Sequence, residues 1–284
     1  MAKYQKDPSF ERAIDALNTG DDIAIPEGDS YPPIIIVSPP RSGSTFLNQL
    51  LSVKLNLGYT SNLLAAFHQK PALGAALQRK MLGNRIASLQ CFSSDFGTTK
   101  LVEEPHEFGY FWSRHLSFSD TYHEPASSSE LAEIDWCNLK KELDSMSRVF
   151  QVPMVLKCSI AVFLLPALLQ NLNALVLWID RAKEDNCRSI LTAREERLGS
   201  VNNWWSIRPR GFESTLQYSP EKQVDWQFER MYSALASAHA EQPDAVMKIE
   251  FDALVSNPDT ILSAITARYK ELFRFSIEAR KAND

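Results

Sequence analysis

One segment has the residue types for holding an anion at close quarters: Ser38-Pro39-Pro40-Arg41-Ser42-Gly43-Ser44-Thr45-Phe46. Gly43 permits a tight backbone turn. Ser42, Ser44 and Thr45 add hydroxyl donors, and Arg41 adds a fixed positive charge. The β-branched run Ile34–Val37 precedes the segment, and Phe46, Leu47, Leu50, Leu51 and Leu55 follow it near helical spacing. This pattern predicts strand, loop, helix. A helix start offers phosphate unpaired N–H groups and the positive end of a dipole. The pattern G-x-x-x-x-G-K-[ST] is not met, because its first glycine and its lysine are missing. A serine-capped strand–helix turn without a ligand has the same appearance. A second feature favours the anion. The apolar run Ala174–Ile179 ends in Asp180-Arg181, and Ser189 follows eight residues after Arg181. That places an arginine at a strand end and a serine about two turns into the next helix, able to grip a second phosphate.

Proton chemistry points to Glu103-Glu104-Pro105-His106-Glu107. His106 lies among carboxylates that can orient it or raise its basicity, which suits proton abstraction. Glu104 or Glu107 could itself be the base, and a solvated loop histidine is the plain alternative. His68, His115 and His123 are secondary candidates. Glu103 and His106 have E-x-x-H spacing, but Pro105 disrupts a helix and the spacing is not repeated, so no metal is expected. Phe108, Tyr110, Phe111 and Trp112 either wall an acceptor pocket or belong to the core. Trp204, Trp205 and Arg208 could cover a nucleotide.

The rest of the chain must position these groups. Its 284 residues hold 30 Lys+Arg against 35 Asp+Glu, a formal charge of −5 that argues against a nucleic-acid surface but permits a local basic pocket. The 44% of hydrophobic residues suffices for a real core. Cys91, Cys137, Cys158 and Cys187 form no C-x-x-C pair, which suits a reducing, cytoplasmic setting. The amino terminus has no apolar stretch of the secretory kind. The uncharged stretch after Lys157 is interrupted by Pro166, so no membrane span is expected.

Residues 1–30 read as an arm with one helical pattern around Phe10–Leu17, and residues 31–284 as a single domain. Helices are predicted over 63–90, 130–150, 160–169 and 183–198, with others opening at Ser219-Pro220 and Asn257-Pro258. Val152–Leu156, Ala174–Ile179 and Ala245–Phe251 read as further strands. Strands alternating with helices predict an α/β, P-loop-like three-layer fold with a mainly parallel sheet flanked by helices.

With these segments in place, the chain resembles the PAPS-dependent sulfotransferases, in particular their bacterial branch and the tyrosylprotein sulfotransferases. PPRSGSTFL is similar to their 5′-phosphosulfate loop, and LVLWIDR with NCRSILTAR to their 3′-phosphate segment, with Arg181 and Ser189 at the matching positions. VPMVLKCSIAVFLLPALL and the closing DWQFERMYSALASA…VMKIEFDALVSNP complete the order.

The resemblance implies transfer of a sulfuryl group from PAPS to a hydroxyl or amine on a small molecule, saccharide or peptide. The donor would be held by Arg41, Ser42, Gly43, Ser44, Thr45, Phe46, Arg181 and Ser189. Lys157 falls where the family has its active-site lysine, and with Arg41 would neutralise the leaving phosphate; no metal is implied. The family's usual bases are absent: Ser159 stands two residues after the lysine, and Asn62 stands where the tyrosylprotein enzymes carry a glutamate. His106 and Glu104 are therefore the candidates. A basic R-K-G motif is also missing near the carboxyl end, which leaves Arg188, Arg208 or Arg210 to close over the 3′-phosphate. A P-loop-type kinase and a catalytically silent PAP-binding relative are the alternative readings.

Overall fold

The computed structural model describes residues 8–20, 22–89, 94–117 and 119–281; Cys91 and the start of the arm lie outside them. Five strands form one sheet: β1 (Ile34–Ile36), β2 (Gly58–Tyr59), β3 (Met154–Lys157), β4 (Leu175–Asp180) and β5 (Val246–Glu250). The order is β2-β3-β1-β4-β5, and every pairing is parallel. Parallel strands need crossover connections, which the helices supply. These are α1 (Pro8–Thr19), α2 (Ser44–Lys54), α3 (Asn62–Ala65), α4 (Pro71–Met81), α5 (Gly109–Leu116), α6 (Ser128–Ala132) and α7 (Trp136–Phe150). They continue as α8 (Leu165–Asn171), α9 (Lys183–Leu198), α10 (Pro220–Glu241), α11 (Phe251–Ser256) and α12 (Pro258–Phe273).

Strand alternation divides the core in two. Ile35, Leu156, Val176 and Trp178 pack with Phe111, Leu143, Leu168 and Leu235 on one face. Ile34, Ile36, Val155, Leu175 and Leu177 pack with Leu47, Leu51, Ile265 and Tyr269 on the other. Both faces are thus buried, which is why these strands are continuous apolar runs rather than alternating ones.

The register places Ile36 of β1 beside Lys157 of β3 and beside Leu177 of β4. Three chain segments therefore leave the sheet side by side: the loop Ser38–Phe46, Lys157 and Asp180-Arg181. Strand order also reverses about β1, since the chain builds β2 and β3 on one side and β4 and β5 on the other. Such a reversal opens a crevice beyond the strands' carboxyl ends.

Several expected elements are subdivided. The helix expected over 63–90 is α3, α4 and a 3-10 turn at Arg85–Ser88, with Pro71 opening α4. The helix expected over 130–150 is α6 and α7, separated where the Asp135 side chain accepts the Asn138 N–H. Residues 160–169 divide between a 3-10 turn at Ser159–Phe163 and α8, with Pro166 in the first turn of α8. Strand β3 includes Lys157 itself. The elements β2, α5 and α11 were not anticipated. In the arm, Asn18 donates to the Ala66 carbonyl at 3.1 Å, tying α1 to the end of α3.

Candidate active site

The loop Ser38–Phe46 is a strained turn held from both sides. Arg41 has φ 68° and Gly43 φ 95°, both in the left-handed region. At Gly43 the requirement is double, because a Cβ there would meet the Phe251 ring at 2.8 Å. Helix α2 opens at once, with Leu47 N–H donating to the Gly43 carbonyl at 3.1 Å. The loop's outer edge is fixed by Asn186, which donates to the Pro40 carbonyl at 3.1 Å. Ser38 Oγ, in turn, accepts from Ile179 N–H at 2.8 Å.

The two features that the sequence placed on different phosphates meet here. Arg181 Nη1 donates to the Arg41 carbonyl at 2.7 Å and the Arg181 guanidinium stacks on Phe251 at 4.7 Å. Arg41 Nε donates to Ser189 Oγ at 3.0 Å. Burial, then the neighbouring Arg181 and Arg197, hold the Arg41 guanidinium below its ordinary pKa. Ser42 Oγ and Arg181 Nε are buried without a hydrogen-bond partner among the described residues. Buried donors in that condition are costly, and two of them beside a cluster of arginines fit an anion.

Lys157 is the junction. Only 6% exposed, its Nζ donates to Thr45 Oγ1 at 2.9 Å and to Glu107 Oε1 at 2.6 Å. The loop, a cation and a carboxylate thus share one point. Trp112 Nε1 on α5 donates to the Lys157 carbonyl at 2.8 Å and fixes the strand end. Phe108, at φ 57°, turns the chain from Glu107 into α5.

The acidic segment sorts into distinct roles. Glu104 is buried, and its Oε2 accepts from Lys100 N–H and Leu101 N–H, both at 2.8 Å, so it braces its own loop. Asn62 braces the same loop from α3 through the Leu101 carbonyl at 2.6 Å. His106 Nδ1 accepts from Phe108 N–H at 2.9 Å. Glu107 is the residue of this segment joined to Lys157. The other three candidate histidines engage other partners. His115 contacts Glu142 on α7 at 3.0 Å, His123 Nδ1 accepts from Arg208 N–H at 3.0 Å, and the His68 ring lies 5.3 Å from Tyr110.

Phe108, Phe111 and Trp112 are core residues, whereas Tyr110 is half exposed. Trp204 packs against Arg194 at 5.1 Å and Phe212 at 5.0 Å. Arg188 pairs with Asp185 at 3.0 Å, and Arg210 with Glu130 at 2.5 Å. Arg208 lies over Phe212 at 5.8 Å. Ser159 opens the 3-10 turn after β3. Among the described residues no three His, Cys, Asp or Glu side chains are grouped to hold a metal ion, and no helix is long and apolar enough to cross a membrane.

Two neighbours of the loop went unnoticed in the sequence. Beyond β4 and β5 lies a cavity of about 400 Å³, lined by Arg181, Lys183, Phe228, Tyr232 and Phe251 together with the carboxylates Asp180, Glu229, Glu250 and Asp252. On the other side a two-residue hairpin, Asp95–Thr98, has its tip beside Thr45, Glu107 and Lys157. Its one local turn residue is Gly97, and Phe96 beside it gave no hairpin signal; nothing local marked Phe251.

A family model described as "Sulfotransferase family" matches residues 32–271. Among solved structures, a sulfotransferase from Mycobacterium tuberculosis, STF1, superposes with a TM-score of 0.53 at 16% identity, covering 84% of this chain and 67% of that one. At that identity the likeness concerns the fold. No curated protein sequence matches significantly.

Proposed function

The chain belongs to the sulfotransferase family, and from that premise we propose that it moves a sulfuryl group from PAPS to a hydroxyl or amine acceptor by in-line displacement. The observation that carries the reading is the position of Lys157 Nζ between Thr45 of the anion loop and the carboxylate of Glu107. The backbone amides of Ser42–Thr45 and the hydroxyls of Ser42 and Thr45 would receive the phosphosulfate. Arg181 and Ser189 would receive the 3′-phosphate, and the cavity between Arg181, Phe228, Tyr232 and Phe251 offers aromatic surface to a purine. Phe46 follows directly on the loop.

The base in this scheme is Glu107. The acceptor's proton passes to its carboxylate as the acceptor oxygen or nitrogen bonds to sulfur and the sulfur–oxygen bond to the donor phosphate breaks. Negative charge then grows on the leaving phosphate and draws the Lys157 ammonium, assisted by Arg41 and the loop amides. As Lys157 changes partner, the Glu107 carboxylate loses its counter-ion and becomes more basic. Proton removal and leaving-group departure are thereby coupled through one ammonium. Glu104 and His106 support this arrangement by fixing the loop that delivers Glu107.

Calorimetric titration with PAP and with ATP, alongside transfer of labelled sulfate to a panel of phenols, sugars and amines, tests the reading. PAP should bind and ATP should not, with binding weakened in Arg41→Ala and Ser189→Ala. ATP binding in place of PAP would support the kinase alternative. PAP binding with no transfer to any acceptor would support the catalytically silent one.

A further inference from the structure

Phe96 lies between two arginines: its ring faces the Arg41 guanidinium at 4.9 Å and that of Arg197 at 5.4 Å. Arg197 stands on α9 two helical steps of four residues beyond Ser189, so the stripe Ser189–Ala193–Arg197 faces the loop side. It donates to the Asp95 carbonyl and, at 3.2 Å, to Thr98 Oγ1, so it grips both ends of the hairpin. The hairpin is closed by reciprocal backbone bonds of 2.8 and 2.9 Å between Asp95 and Thr98. Its central residues, Phe96 and Gly97, have φ 49° and 87°. A phenylalanine in the left-handed region is unusual and persists only where its surroundings impose it. Here the surroundings are two guanidinium groups.

The hairpin tip enters the chemistry. A Cβ on Gly97 would stand 3.2 Å from Thr45 Oγ1 and 3.3 Å from Glu107 Oε1. Behind the tip, Arg41 is bonded to Ser189, the serine proposed for the 3′-phosphate. Arg41 therefore occupies that serine and is sealed there by Phe96. A multiply charged nucleotide must separate Arg41 from Ser189, and Arg41 cannot swing while Phe96 covers it.

We propose that the Asp95–Thr98 hairpin is the closure over the donor nucleotide, with Phe96 and Arg197 as positioning residues that act through Arg41. The hairpin lifts to admit the nucleotide, and Arg41 leaves Ser189 for the donor. The hairpin then closes again with Phe96 on Arg41 and Arg197 on the backbone of the strap. This closure takes the place of the missing R-K-G motif, and none of Arg188, Arg208 or Arg210 takes part in it. The inference rests on the nucleotide site proposed above.

Stopped-flow measurement of PAP association and dissociation, with donor KM and kcat, separates the two. Phe96→Leu keeps apolar bulk without the ring face, and Arg197→Lys keeps charge without the planar fork. Both variants are expected to release PAP about tenfold faster and to raise donor KM by a similar factor, with an unchanged unfolding temperature. A clasp that merely stabilised the fold would lower the unfolding temperature and leave the release rate alone. Wild-type release rates in both variants, or a fall in kcat with unaltered release, overturn the closure while the nucleotide site stands. Failure of the wild-type protein to bind PAP overturns the site, and the closure with it.

Discussion

Glu104 and Glu107 lie three residues apart on one loop, and the structure gives them opposite fates under the same substitution. Glu104→Gln keeps the size of a buried side chain whose Oε2 serves two backbone donors at 2.8 Å. A charged acceptor is stronger than a neutral one by about 1 kcal/mol per bond, so losing the charge from two bonds costs about 2 kcal/mol. At about 2–4 °C per kcal/mol for a chain of this class, the unfolding midpoint should fall by about 4–8 °C. Turnover of the fraction still folded should change little.

Glu107→Gln should do the reverse. The carboxylate is 34% exposed and glutamine still offers an oxygen to the buried Lys157 ammonium, so the loss of charge from that one bond should cost about 1 kcal/mol. As the proposed base, its loss should lower kcat about a hundredfold to ten-thousandfold, with PAP affinity unaltered. Differential scanning calorimetry and steady-state sulfuryl transfer, run on both variants, give all four numbers. Two results would refute the reasoning: Glu107→Gln turning over within about threefold of wild type, or Glu104→Gln losing turnover at unchanged stability.

Three further outcomes follow from the same geometry. Gly43→Ala forces a Cβ against the Phe251 ring at a φ of 95°. It should cost about 1–3 kcal/mol in thermal unfolding and, by displacing Phe251 from Arg181, weaken PAP binding in calorimetry. Lys157→Met should retain most PAP affinity yet reduce kcat about a hundredfold or more, since it removes charge needed chiefly in the transition state. His123 has its pKa lowered by burial, then by Arg208, so the folded state binds fewer protons than the unfolded one. Stability from this group is therefore fully present above the unfolded histidine value and falls as pH drops below about 6.5. Urea unfolding at pH 7.5 and 5.5 should show that loss shrink in His123→Ala.

The legible parts of the site were those written in local sequence. The run Ile34–Val37 followed by Arg41-Ser42-Gly43 encodes a strand and a turn needing positive φ, and both are present. Helix α9 spans the residues expected and stops at Gly199, whose left-handed conformation is a local end signal. The choice among Glu104, His106 and Glu107 was not local. It depends on the left-handed Phe108 and on Lys157, fifty residues away. The two-residue strand β2 is too short to show a period. The approach of Phe251 to Gly43 joins opposite ends of the chain, and Phe96 gains its role only from arginines on two other elements.

The indole of Trp112 has a consequence for how this scaffold can be altered. Because α5 begins just after Glu107 and holds the Lys157 carbonyl, carboxylate and ammonium are set by one short helix on the sheet's end. The segments that face outward beyond it, such as 119–133, contribute no bond to that pair among those described. Changes in a loop that pairs elsewhere, as His123 does with Arg208 and Glu130 with Arg210, would leave the Glu107–Lys157 pair standing on α5, which makes that helix the part of the scaffold the proposed chemistry cannot spare.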